Sequence, residues 1–345
     1  MEPASARAHL DRLWHRGVQF LGARVAIMGG AMTWVSERHL VAAISNAGGF
    51  GVIACGAMEP DQLAAEIAGT RALTAKPFGV NLIVMHPSLD RLVEACIENG
   101  VSHVVFAGGM PSGAHLKRLK AEGIRTMGFA PALAFAKKLV RMGIDGLVIE
   151  GAEAGGHIGA VSTSVLAQEI LPQIREVPVF VAGGIGRGEA ILAYLEMGAA
   201  GCQLGTRFVC AAESIAHPAF KEAFIRADAR DAMPSVQLDP RFPVIPVRAL
   251  ANRATDLFVE AQRDMIARYN RGEISKEAAQ LGIERFWAGA LRRAVIEGDV
   301  ETGSLMAGQS VGMVSRAQST AEIIDELVDQ AVAALEARER LGAAS

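Results

Sequence analysis

The sequence of 345 residues has only four cysteines, and no two of them stand at the short spacing of a zinc site or a redox dithiol. Cys55, Cys96, Cys202 and Cys210 are scattered, each in or beside an apolar segment, which reads as reduced core thiols in a cytosolic protein. A cluster of basic residues is also missing. With 34 Lys+Arg against 37 Asp+Glu and a net charge of −3, phosphate-backbone binding is not the main function, so no nucleic-acid partner is expected. No uninterrupted apolar run reaches the ~20 residues that cross a bilayer. The stretch Met1 to Arg7 lacks a charged region leading into an apolar one. The expectation is a soluble, cytoplasmic chain without a membrane partner.

What is present is a 51% hydrophobic content and 37 glycines, enough for one large barrel or two ordinary domains. From Arg24 onward, short apolar runs alternate with helical patterns bounded by glycine. Strands are expected at Val25 to Met28, Gly51 to Ala54, Phe78 to Leu82, His103 to Phe106, Arg125 to Phe129, Gly146 to Ile149, Val179 to Ala182 and Gly201 to Leu204. Eight strands close a (β/α)8 TIM barrel, with an open doubly wound sheet as the alternative. Local repetition supports the barrel, since Met142-Gly143 and Met197-Gly198 each end a helix and lead into a strand.

After Phe208 the rhythm breaks. Helical patterns over Leu250 to Tyr269 and Lys276 to Ile296, a Pro-rich interruption at Pro234 to Pro246 and no strand signal describe a helical insertion after strand eight. The chain therefore divides into a barrel of residues 1–212 and 300–345 and a cap of residues 213–299. Ala321 to Leu341 is the closing amphipathic helix.

Chemistry concentrates between Asp145 and Ala160, where a strand buried on both faces runs into a glycine-rich loop holding Glu150, Glu153 and His157. Glycines admit a ligand close to the backbone, and an imidazole moves a proton near neutral pH. The loops after strands seven and eight, Ala182-Gly183-Gly184-Ile185-Gly186 and Gln203-Leu204-Gly205-Thr206-Arg207, place glycine N–H groups at helix starts, where a phosphate binds.

Six stretches carry a resemblance. They are Gly29-Gly30-Ala31-Met32, Ser45 to Gly51, Phe78-Gly79-Val80-Asn81, Glu150 to His157, Ala182 to Gly186 and Leu204 to Phe208. Together they resemble the nitronate monooxygenase family, formerly 2-nitropropane dioxygenases, whose superfamily includes the FMN-dependent type II enoyl-acyl carrier protein reductases. The resemblance covers about residues 24 to 210 and resumes at Gly303 to Gln309. It implies FMN at the barrel mouth. Gly30, Ala31 and Met32 would lie beside the isoalloxazine, Asn81 and Glu150 would bond its polar edge or ribityl chain, and Ala154 and Gly155 would line the site. Gly183, Gly184, Gly205 and Thr206 would hold the phosphate, Gln309 would lie near the flavin, and His157 would face the substrate as the catalytic residue.

The first expectation is a nitronate monooxygenase converting alkyl nitronates (nitroalkanes) and O2 to carbonyl compounds and nitrite. The alternative is an NAD(P)H-dependent FMN reductase of an enoyl thioester or quinone, and a third reading is a flavin-free phosphate-binding barrel. Ala160 stands where many enoyl reductases carry an acid, a departure that counts against the reductase alternative. Met32 to Val35 and Gly303 to Gln309 look more like the reductases. Trp34 reads as packing before a cover for the flavin, Glu153 as a solvated carboxylate before a second acid, and His39, His103 and His115 as ordinary surface or core histidines. A homo-oligomer is allowed by the sequence.

Overall fold

The structure is a computed structural model that describes residues 5–287 and 289–343. Eight short strands with almost wholly buried side chains form one parallel sheet. They are β1 (Ile27–Gly29), β2 (Val52–Ala54), β3 (Gly79–Ile83), β4 (His103–Ala107), β5 (Arg125–Phe129), β6 (Gly146–Glu150), β8 (Val179–Ala182) and β9 (Gly201–Leu204). Their order is β1-β9-β8-β6-β5-β4-β3-β2. The ends of that row meet: Phe50 N–H donates to Ile27 O and Gly29 N–H to Phe50 O, each at 2.9 Å, across a parallel bridge of Met28 with Phe50. No edge is left open, and the expected TIM barrel is the observed fold.

Helices surround the sheet. The one after β9 is a single turn, Thr206–Val209, and its place in the ring is taken by the C-terminal helix Thr320–Ala343. That helix buries Ile323, Ile324, Leu327, Val328, Ala331 and Leu335, a stripe at helical spacing, against the barrel wall. Two helices that the sequence reading left unassigned, Ala6–Leu13 and His15–Leu21, close the opposite end. There Phe20 lies edge-on to His103 at 5.1 Å and near Phe180 at 6.1 Å.

The insertion differs from the expectation in carrying strands. β10 (Ala232–Pro234) and β11 (Val247–Leu250) join β7 (Gly156–His157) in a three-stranded sheet of order β10-β11-β7, both pairings antiparallel. Leu250, expected to begin a helix, ends β11 instead, and the helix starts at Arg253 with a capping box on Asn252. The helix expected over Lys276 to Ile296 stops at Arg285, and after a turn at Gly289 the chain continues as Ala290–Arg292 and a π-helical turn, Arg293–Glu297. Phe242, Phe258, Ala279 and Ile283 form an apolar cluster apart from the barrel core, flanked by Tyr269, Phe286 and Trp287. Among the described residues, no helix is long and apolar enough to cross a membrane.

Candidate active site

Every residue expected to touch the flavin or the substrate lies at or beyond the C-terminal end of a barrel strand, except Asn81 within β3 and Gln309 in the returning C-terminal segment. The loop after β1 is tied first. Gly30 N–H donates to Leu204 O at 2.8 Å, and Ser36 Oγ donates to Gly30 O at 2.8 Å while accepting from Met32 N–H at 2.9 Å. This tight loop holds Trp34 at φ 69, a left-handed conformation that costs a bulky aromatic about 1–3 kcal/mol. Trp34 does not pack in the core. Its ring is 37% exposed, with the Arg292 guanidinium 5.8 Å from the ring centre. The Met32 sulfur lies 3.4 Å from the point where a Cβ on Gly205 would stand, so the loops after β1 and β9 touch.

The loop after β6 is built around Glu153. Its Oε2 accepts from Thr163 N–H at 2.8 Å and lies 2.9 Å from Thr163 Oγ1, so Glu153 is a structural brace at the start of helix Thr163–Ile170 and not a solvated carboxylate. Its backbone carbonyl accepts from Gln309 N–H at 2.9 Å. Gly155 and Gly308 pass so close that a Cβ on Gly155 would stand 2.6 Å from Gly308 N, which only glycine tolerates. Gly308 N–H donates in turn to Thr206 Oγ1 at 3.0 Å. Ala154, Gly155, Thr206 and Gln309 are thereby brought together. The Thr206 oxygen is already an acceptor here, and its own proton remains available to a ligand. Gln309 also lines a cavity of about 450 Å³ with Asp228, Ala229, Arg230, Gly312 and Met313.

Gly183 and Gly184 both have positive φ, 97 and 71, and interlock with the same brace. A Cβ on Gly184 would stand 2.9 Å from the Glu153 Cβ. Among the described residues, the N–H groups of Gly183, Gly184, Gly205 and Thr206 have no acceptor. Four free backbone donors on the loops of neighbouring strands suit a phosphate.

The polar side chains at the mouth are sparsely partnered. Asn81 is buried on the β2–β4 flank, donating Nδ2–H to Val105 O at 3.0 Å and leaving Oδ1 as a spare acceptor. Glu150 ends β6 with no hydrogen-bond partner for its carboxylate among the described residues, and desolvation pushes its pKa up to about 7. His157 stands in β7 with its exposed ring unbonded, and partial desolvation lowers its pKa. The sequence reading missed Arg248. This residue is 8% exposed, with Nε 2.9 Å from Ala152 O and Nη1 2.5 Å from Ala232 O. Nothing in the run Val247 to Leu250 signals a buried cation.

Comparison with known proteins agrees with this geometry. FabK from Thermotoga maritima is 34% identical with a TM-score of 0.85, over 94% of this chain and 98% of that one. The nitroalkane oxidase from Streptomyces ansochromogenes is 27% identical with a TM-score of 0.74, over 92% and 98%. A Mycobacterium tuberculosis protein, (3aS,4S,5R,7aS)-5-hydroxy-7a-methyl-1-oxo-octahydro-1H-indene-4-carboxyl-CoA dehydrogenase, is 29% identical over 92% of this chain and 96% of its own. The nitronate monooxygenase family model matches residues 16–330. The chain belongs to the nitronate monooxygenase family, within the FMN-dependent TIM-barrel oxidoreductases that also include FabK-like enoyl reductases, and it is a flavin-dependent oxidoreductase.

Proposed function

We propose that this chain takes a hydride from NAD(P)H through FMN and delivers it to the C=C bond of an enoyl thioester, the second of the two flavin readings of the sequence. The observation that carries it is the similarity to FabK, at 34% and 0.85 against 27% and 0.74 for the nitroalkane oxidase. FabK stands with the enoyl reductases of the superfamily, and the mycobacterial relative is named for a CoA thioester. The small sheet that carries His157 and the segments beside it support the same choice. Met233, Val236 and Ile245, on β10 and the segment leading into β11, are 53%, 49% and 62% exposed. An acyl chain has the apolar surface to cover them, whereas a small nitroalkane does not.

FMN fits the residues present. The acceptor-free N–H groups of Gly183, Gly184, Gly205 and Thr206 would hold its phosphate. Gly30, Ala31 and Met32 would offer close backbone approach to the ring, and Asn81 Oδ1 and Glu150 would bond its polar edge or ribityl chain. Ala154, Gly155 and Gln309 would line the side of the site toward the 303–309 segment. When bound, FMN supplies the two-electron chemistry that no side chain provides. The part left to the chain is to orient the thioester, keep water from the transferred hydride and supply a proton. As Cβ gains the hydride, the imidazolium of His157 gives its proton to Cα, and solvent, to which the ring is open, restores it. In this reading, residues 1–212 and 300–345 form the FMN-binding unit and residues 213–299 cap its mouth.

The family description favours a second reading, nitronate oxidation by O2, in which His157 acts as the base. A visible spectrum followed by parallel steady-state assays separates the two. The expected result is a yellow protein that oxidises NADH or NADPH in the presence of enoyl-CoA, faster with longer chains. Nitrite release from alkyl nitronates without NAD(P)H turnover would return the chain to the second reading. A protein that stays colourless after incubation with FMN would exclude both.

A further inference from the structure

On β11, Val247 stands opposite His157 and Arg248 opposite Gly156. Consecutive strand residues point to opposite faces, so His157 and Val247 share one face of the small sheet while Arg248 projects from the other. Arg248 therefore cannot meet a substrate beside His157. On its own face it joins three segments: Nε donates to Ala152 O in the loop after β6, Nη1 donates to Ala232 O at the start of β10, and its own backbone belongs to β11.

Arg248 is buried with carbonyl partners only. Among the described residues it forms no ion pair, and the nearby Glu153 carboxylate is engaged with Thr163. A charge held out of water in this way often stabilises no more than a well-packed apolar side chain of the same size would. Meanwhile β7 is two residues long, too short to hold its own register. Apart from its ladder, the adjoining backbone bond to the insertion is Ile158 N–H to Pro246 O at 3.0 Å.

We infer that Arg248 is a positioning residue for His157, fixing the Ala152 carbonyl and the strand that carries the imidazole against the inserted sheet. The insertion then forms part of the active site, since it sets where the proton-transferring ring stands. This inference rests on the placement of His157 at the substrate side, and its test includes a readout that does not depend on the substrate.

The test uses the flavin-loaded protein with Arg248→Met and Arg248→Lys. The His157 ring resonance is assigned by its loss in His157→Asn and titrated by NMR, alongside kcat and KM. With the guanidinium removed, β7 loosens and the partial desolvation of the ring is relieved, so its titration moves up toward the unperturbed ~6.5. For Arg248→Met, kcat is expected to fall about 10- to 100-fold with KM changed less, because a displaced reacting group is lost to the chemistry and not to binding. Arg248→Lys, which keeps the charge but offers a single donor nitrogen, falls between Met and wild type in both readouts. An unmoved His157 titration in a folded variant overturns the inference, whatever the substrate proves to be. If Arg248→Met does not fold, the same titration on Arg248→Lys decides. A shifted titration with no enoyl-CoA turnover in any form leaves the inference standing and overturns the reading of the substrate.

Discussion

Glu153 and Thr163 are joined twice, through the Thr163 N–H at 2.8 Å and its hydroxyl at 2.9 Å, and this pair locks the loop carrying the catalytic face to the helix behind it. Thr163 is 2% exposed. Removing the acceptor leaves a buried N–H unsatisfied, so Glu153→Ala is expected to lower stability by about 1–3 kcal/mol in urea unfolding. Glu153→Gln keeps an oxygen acceptor and loses less. Equal losses for the two variants would show that the carboxylate acts by charge and not as a brace.

Gly184 tests the proposed phosphate site. At φ 71, with its Cβ position 2.9 Å from the Glu153 Cβ, any side chain strains the loop, so Gly184→Ala measures that strain alone. Gly184→Asp adds a negative charge where the dianion would lie and is expected to purify without FMN, whereas Gly184→Ala retains some. Full occupancy in Gly184→Asp would move the phosphate elsewhere.

His103 sets an acid limit on stability. Its ring is 1% exposed, bonded to Ser102 Oγ and Phe20 O at 2.9 Å each, and burial lowers its pKa to about 4. The unfolded chain takes up the proton near its ordinary pKa of about 6.5, so stability is full above that value and falls as the pH drops toward 4, by roughly 3 kcal/mol in all. His103→Gln should flatten unfolding free energy over that window. A slope unchanged in the variant would assign the acid loss to other groups.

The barrel was legible because each parallel strand is buried on both faces and reads as an apolar run, as at Leu147 to Ile149 and Val179 to Ala182. The mouth glycines were legible for a related reason: Gly155 and Gly308 touch, and sequence retains glycine where backbones meet. The small sheet was not. β7 has two residues, β10 contains Pro234, and β11 alternates half-buried and buried residues around an arginine. Their pairing exists only because tertiary contacts bring Gly156 and Arg248 together across 92 positions of sequence. Arg248 and the brace of Glu153 depend on that same long-range placement. Trp34 misled because its strained, exposed setting belongs to the turn closed by Ser36 and not to its own side chain.

In the proposed reaction, His157 acts in the second of two half-reactions. His157→Asn is expected to keep FMN and its rate of reduction by NAD(P)H, while slowing the enoyl-dependent step by about 10²-fold. The pH limb gives the role. The pKa is lowered, so the limb lies below the ordinary histidine value, and a proton donor loses rate as pH rises through it. A base abstracting a proton from a nitroalkane loses rate as pH falls through it instead. The second direction would contradict the assignment of His157 as the acid.

Hydride transfer from NAD(P)H to an enoyl thioester is read in anaerobic stopped-flow absorbance of the bound flavin. Mixing with NADH or NADPH should bleach the flavin band, and subsequent mixing with enoyl-CoA should restore it with formation of one equivalent of saturated thioester. A flavin left oxidised by both nicotinamides but bleached by an alkyl nitronate, with nitrite formed on admitting O2, would make the chain a nitronate oxidase and not an enoyl reductase.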